Sequence, residues 1–109
     1  MASGKFGSAS LTAATLTQIY AGPASGKVAT VNVCFVNAAA SASAIRLAIS
    51  TSSTSGGVAA ADYVSYGATL NVGDEYEKTG LVVQNGEYVW AYAAVTGVVA
   101  RAHGFEGAA

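Results

Sequence analysis

Between residues 27 and 37 the chain alternates with a period of two. Ala29, Val31, Val33 and Phe35 share one parity, and Val28, Thr30, Asn32, Cys34 and Val36 share the other. That is the pattern of a strand, and the first set is expected in a core. Residues 44–50 repeat it, with Ile45, Leu47 and Ile49 inward and Arg46, Ala48 and Ser50 outward. Further β-rich runs fall at 11–20, 63–70, 75–83, 88–95 and 98–105, and no helical periodicity competes with them.

Turn chemistry punctuates these runs. Gly22-Pro23 ends the first, because proline fixes φ and donates no hydrogen bond. Asn71-Val-Gly-Asp74 and Thr96-Gly97 read as turns, and 51–57 (Thr-Ser-Ser-Thr-Ser-Gly-Gly) as a surface loop. Residues 58–62 carry a weak signal for a helical turn. Asn85-Gly86 reads as a type I′ hairpin between flanking strands. About seven or eight short strands with turns roughly every ten residues predict an all-β, antiparallel β-sandwich of jelly-roll-like form. The 109 residues form one domain, with 1–10 expected as an extended N-terminal arm.

Residues 88–95 are apolar on both parities. We expect Tyr88, Trp90, Tyr92 and Ala94 to face the core, where aromatic residues supply most buried area. Val89, Ala91, Ala93 and Val95 would then form a subunit interface, and Cys34 is read either as a buried free thiol or as a further intersubunit contact. The alternative is an exposed platform in which Tyr63, Tyr66, Tyr88, Trp90 and Tyr92 stack on carbohydrate.

Composition sharpens the interface expectation. Only 10% of residues are charged and 52% are hydrophobic, against about 25% charged in ordinary soluble domains. So few charges predict that polar Ser, Thr, Asn and Gly cover part of the surface and that other protein covers another part and shields the sheet edges. The five basic residues are scattered and net charge is −1. Nucleic-acid binding, which needs clustered positive charge, is not expected. No polybasic or long apolar segment calls for a membrane, and the N-terminus lacks a signal-peptide core. We expect a protein made in a cytoplasm.

Candidate chemistry is sparse. The single cysteine, Cys34, excludes an intrachain disulfide and, with the single histidine, His103, falls short of a zinc site. No Gly-x-Ser-x-Gly elbow accompanies His103. Asp74, Glu75 and Glu77 lack the spacing of a calcium loop, and no phosphate-binding glycine motif occurs. No enzyme activity, catalytic residue, metal or cofactor is expected.

One resemblance spans about Leu11 to Glu106. The succession Thr17-Gln-Ile-Tyr20, Gly22-Pro23, Lys27-Val-Ala-Thr-Val-Asn-Val33, Ile45-Arg-Leu-Ala-Ile-Ser50, Asp62-Tyr63, Lys78-Thr-Gly80, Gly86-Glu87 and Gly104-Phe105-Glu106 resembles small virion structural proteins of tailed bacteriophages. The resemblance implies a compact β-sandwich subunit without cofactor or catalytic residue. It implies a place in the virion as a capsid decoration or cement protein, a fibre tip touching a host surface, or a tail or baseplate component. Expected partners are copies of itself, in a trimer or another homo-oligomer, and virion proteins such as a major capsid protein.

Overall fold

The structure, a computed structural model, describes residues 3–108. Eight strands follow in chain order: β1 (Ser3–Ser10), β2 (Thr17–Tyr20), β3 (Lys27–Asn37), β4 (Ser43–Ser50), β5 (Tyr63–Leu70), β6 (Glu75–Gln84), β7 (Tyr88–Ala93) and β8 (Val98–Ala108). Two short 3₁₀ turns, Ser55–Gly57 and Ala60–Asp62, sit between β4 and β5. One sheet has the order β1-β8-β3-β6 and the other β2-β7-β4-β5, and every pairing is antiparallel. First pairs with last, second with seventh, third with sixth, and fourth with fifth. This is a long antiparallel ribbon rolled into two layers, the jelly-roll arrangement of the β-sandwich.

Because of that roll, only β4 and β5 are neighbours both in sequence and in one sheet. Every other connection changes layers, and glycine makes several of the corners. In 24–27, 71–74 and 84–87 the fourth N–H donates to the first C=O, at 3.0–3.1 Å. The third residue of each is glycine, with φ between 79° and 86°, while the second keeps negative φ. That is the type II pattern, which splays the flanking strands instead of twisting them together. Asn85-Gly86 is therefore a corner from β6 to β7 in the opposite sheet, not the type I′ hairpin its dipeptide predicts. Residues 96–97 likewise lead from one sheet to the other, not through a hairpin.

The core is what the β3 alternation predicts. Ala29, Val31, Val33 and Phe35 are fully buried, with Ile45 and Leu47 of β4 facing them from the other sheet. Ala100 and Ala102 of β8 and Val83 of β6 complete the inner face of the first sheet. The expectation for β7 is reversed. Val89, Ala91 and Ala93 are the inward residues, and Tyr88, Trp90 and Tyr92 lie on the outer face. Val89, Ala91 and Ala93 have no accessible surface and cannot meet another subunit, and Val95 is half-buried against the same core. Ile45 and Leu47 of β4 stand beside Ala93 and Ala91 on the same inner face, and the β3 side chains face them from the other sheet, so small residues fit on β7.

The expected N-terminal arm is also corrected. Residues 3–10 form a strand paired along β8, and residues 1 and 2 lie outside the described part. Its glycines and serines hide it from pattern reading. One of them, Gly7, is a packing requirement, since a β-carbon there would run into the Ile19 carbonyl of β2. β1 and β2 thus close one side of the sandwich, while across the other Ser65 Oγ of β5 lies 3.2 Å from Tyr76 Oη of β6. Edge strand β6 places Lys78 opposite the inward Val33, and an inward charge at an edge discourages further strand addition.

Asn37 ties one end of the fold together. Its buried side chain donates to Leu70 O (2.9 Å) and Ser41 O (3.0 Å) and accepts from Ala39 N (2.9 Å). Its main chain pairs with Gly73 and Asp74 of the β5–β6 turn.

Two outcomes follow for urea unfolding. Asn37→Ala leaves buried backbone groups unpaired and lowers stability by about 2–4 kcal/mol. Gly7→Ala forces β1 away from β2 and costs about 1–3 kcal/mol.

Candidate functional site

Two outer faces remain. On the β1-β8-β3-β6 sheet the register lays side chains out in rows. Val99 and Val36 lie side by side between Ser10 and Glu75. The next row is Ser8, Arg101, Cys34 and Glu77, and the one beyond it Lys5, His103 and Asn32. Phe105, Thr30 and Val82 follow. Phe105 and Val82 are 55% and 59% exposed, and Val36 and Val99 are also open to solvent. The face is thus a charged middle between two apolar ends.

The middle rows hold Cys34, Glu77 and His103 together, lining a depression of about 430 Å³ with Arg101 and Lys5. His103 Nε2 lies 3.8 Å from Glu77 Oε2. A thiol beside an imidazole and a carboxylate resembles a nucleophilic arrangement, but the electrostatics run the wrong way. Burial, then the negative charges of Glu77 and Glu75, push the Cys34 thiol above its ordinary pKa, against the pull of Arg101. A nucleophilic cysteine needs the opposite. Among the described residues no group of three or more His, Cys, Asp or Glu is arranged to hold a metal ion.

The second face, on β2-β7-β4-β5, brings the aromatic residues together. One row is Gln18, Trp90, Ala48 and Tyr63, and the next is Tyr92, Arg46 and Tyr66. Tyr88 stands opposite Ser50. All five residues of the expected platform share this face, although Tyr63 and Tyr66 are three apart and would oppose each other in a regular strand. Bulges in β5 against Ile45/Arg46 and Leu47/Ala48 re-aim them, and Gly67 (φ 81°) sits at the first. Trp90 is not a platform residue. It is only 5% exposed, and its indole N–H donates to Ser52 O (3.3 Å) in the 51–62 connection.

Arg46 is the feature that sequence reading missed. Its guanidinium lies 4.2 Å from the Tyr66 ring centre and 4.4 Å from that of Tyr92, and the Tyr63 and Tyr66 rings meet edge to face at 4.9 Å. Such cation–π contacts contribute about 0.5–1 kcal/mol each at exposed sites. The signal was available, since Arg46 is the one charged residue on β4. Its significance depends on cross-strand register, which the sequence does not print.

A cleft of about 310 Å³ opens beside Arg46, with Tyr63 and Tyr92 as walls and Thr15, Leu16 and Ser55 on its rim. The wall at 12–15 is a strained turn. Ala14 takes φ 57°, a left-handed conformation costly for alanine, and is pinned there by Ala14 N to Ala93 O (2.8 Å) and Ala13 N to Thr96 Oγ1 (3.1 Å).

Protein-family models, curated proteins and solved structures were compared with the chain, and none matched it.

Cys34 gives a direct check of the first face. Iodoacetamide at pH 8 should alkylate it severalfold more slowly than a free cysteine, and Glu77→Gln should speed the reaction by easing deprotonation. Mass spectrometry of timed samples reads both rates.

Proposed function

We propose that this chain is a non-enzymatic structural protein of a virion, a capsid decoration or cement subunit that stabilises the particle by packing against copies of itself and against the capsid protein. The observation that carries this reading is the outer face of the β1-β8-β3-β6 sheet. Val36 and Val99 stand exposed on it side by side on adjacent strands, and Phe105 and Val82 stand exposed on either side of Thr30 in a second row, on a chain in which only 10% of residues are charged. Neighbouring apolar side chains on a flat sheet gain by being covered, and many such modest contacts sum in a lattice. The charges between the rows, Lys5, Arg101 and Glu77, are of both signs and fit the mixed polar part of an interface. The order of motifs that resembles small phage virion proteins supplies the setting. The jelly roll is shared by viral coat proteins and lectins, so the fold alone does not choose between them.

A second reading, a fibre-tip or other carbohydrate-binding module, is favoured by the Arg46–tyrosine cleft on the opposite face.

Sedimentation velocity tests the first reading. The wild-type chain should sediment as a homo-oligomer or with capsids. Phe105→Glu combined with Val82→Lys should release a monomer whose unfolding free energy stays within about 0.5 kcal/mol of wild type, because both side chains are already exposed. A wild-type monomer that ignores capsids contradicts the proposal.

A further inference from the structure

We infer that the cleft beside Arg46 binds an acidic saccharide, with the guanidinium taking the sugar's carboxylate and the tyrosine rings taking its pyranose face. The inference rests on the second reading above and gives that site its ligand class.

Three independent features converge on it. The first is an uncompensated charge. Arg46 lies in the middle of β4, and among the described residues no carboxylate is within ion-pair distance of it. Its Nε is buried without a hydrogen-bond partner. The nearest acid in sequence to the cleft wall, Asp62, already accepts the Ala59 N–H at 2.9 Å. The guanidinium is held between two aromatic rings, a position that keeps it fixed in direction. A planar guanidinium so held favours carboxylate over other acceptors, because its paired N–H groups match the two oxygens.

The second feature is the wall chemistry. Tyr63 and Tyr92 offer flat apolar faces edged with hydroxyls, and Thr15 and Ser55 add short hydroxyls at the rim. Rings stack on the C–H face of a pyranose, while short hydroxyls meet its own at small cost in side-chain entropy. An acidic peptide would use the arginine but gain nothing from this alternation of ring and hydroxyl.

The third is strain. Ala14 lines the same cleft in a left-handed conformation, held by the hydrogen bonds that Ala14 N donates to Ala93 O of β7 and Ala13 N donates to Thr96 Oγ1. Backbone strain tends to be retained where a wall must stand in one place for a ligand.

Isothermal titration calorimetry tests the inference with four probes: trigalacturonic acid, its methyl ester, sialyllactose and lactose. At least one of the two acids should bind, and its neutral counterpart should bind at least about tenfold more weakly. Arg46→Gln should remove that preference, and Arg46→Lys should restore only part of it. Tyr92→Ala should weaken the acid and the neutral sugar alike. Circular dichroism melts confirm that each variant is folded, and Tyr88→Ala, on the same sheet face but off the cleft, should leave binding unchanged. Equal binding of acid and neutral forms overturns the inference while leaving a carbohydrate module standing. No binding of any probe to the folded wild type overturns both. Polyglutamate binding as tightly as the acidic sugars also overturns it, in favour of an acidic peptide.

Discussion

Four side chains at alternate positions of β3, Ala29, Val31, Val33 and Phe35, hold the molecule together. β3 lies inside its sheet, paired on one side with β8 and on the other with β6. Each of the four side chains is fully buried against the second sheet. A slip of one residue in β3 would turn this set outward and bring Cys34, Asn32 and Thr30 into the core. Register in β3 therefore sets register in two neighbours, and with it the rows on the outer face. The interior is made of small and medium aliphatic residues with few aromatics, so it holds the layers close. Tyr63, Tyr66, Tyr88, Trp90 and Tyr92 lie on the outer face of the second sheet.

This division explains which parts of the sequence were legible. Strands β3 and β4 could be read because each has one apolar parity and one mixed parity. β7 could not, since Tyr88, Trp90 and Tyr92 alternate with Val89, Ala91 and Ala93 and both sets are apolar. Volume decided the matter: beside Phe35, Ile45 and Leu47 there is room for alanine and valine. β1 was illegible for a different reason. Its pairing with β8 is backbone hydrogen bonding by a glycine- and serine-rich segment, and its packing requirement is the absence of a side chain at Gly7. Asn85-Gly86 showed that a turn dipeptide marks a reversal without stating which sheet the chain enters next. The five aromatic residues of the expected platform do share one sheet face. The platform's geometry depended on two bulges in β5 and on a buried Trp90, and its central Arg46 became visible only through register.

The two outer faces differ in kind. One has exposed valines and a phenylalanine at its ends and mixed charges across its middle, a surface suited to lying flat against protein. The other concentrates tyrosine around a single arginine and carries a cleft. The proposed reading, one broad face covered by protein and the other open to a ligand, fits a chain in which only 10% of residues are charged. The thiol, imidazole and carboxylate on the first face are adjacent because of register, and the field around Cys34 keeps its proton on. Sparse charge also leaves few devices to protect the edges. Lys78 at β6, the bulges of edge strand β5 and the near closure of β1 on β2 are devices of this kind among the described residues.

The central claim is that protein covers the β1-β8-β3-β6 face when the chain is in its working assembly. Hydroxyl-radical footprinting of the isolated subunit and of the assembled form, with oxidation read residue by residue, tests it most directly. The account predicts that oxidation of Phe105 falls severalfold on assembly while Tyr66, 64% exposed on the opposite face, stays as reactive as before. Unchanged oxidation of Phe105, or protection confined to Tyr63, Tyr66 and Tyr92, would contradict it.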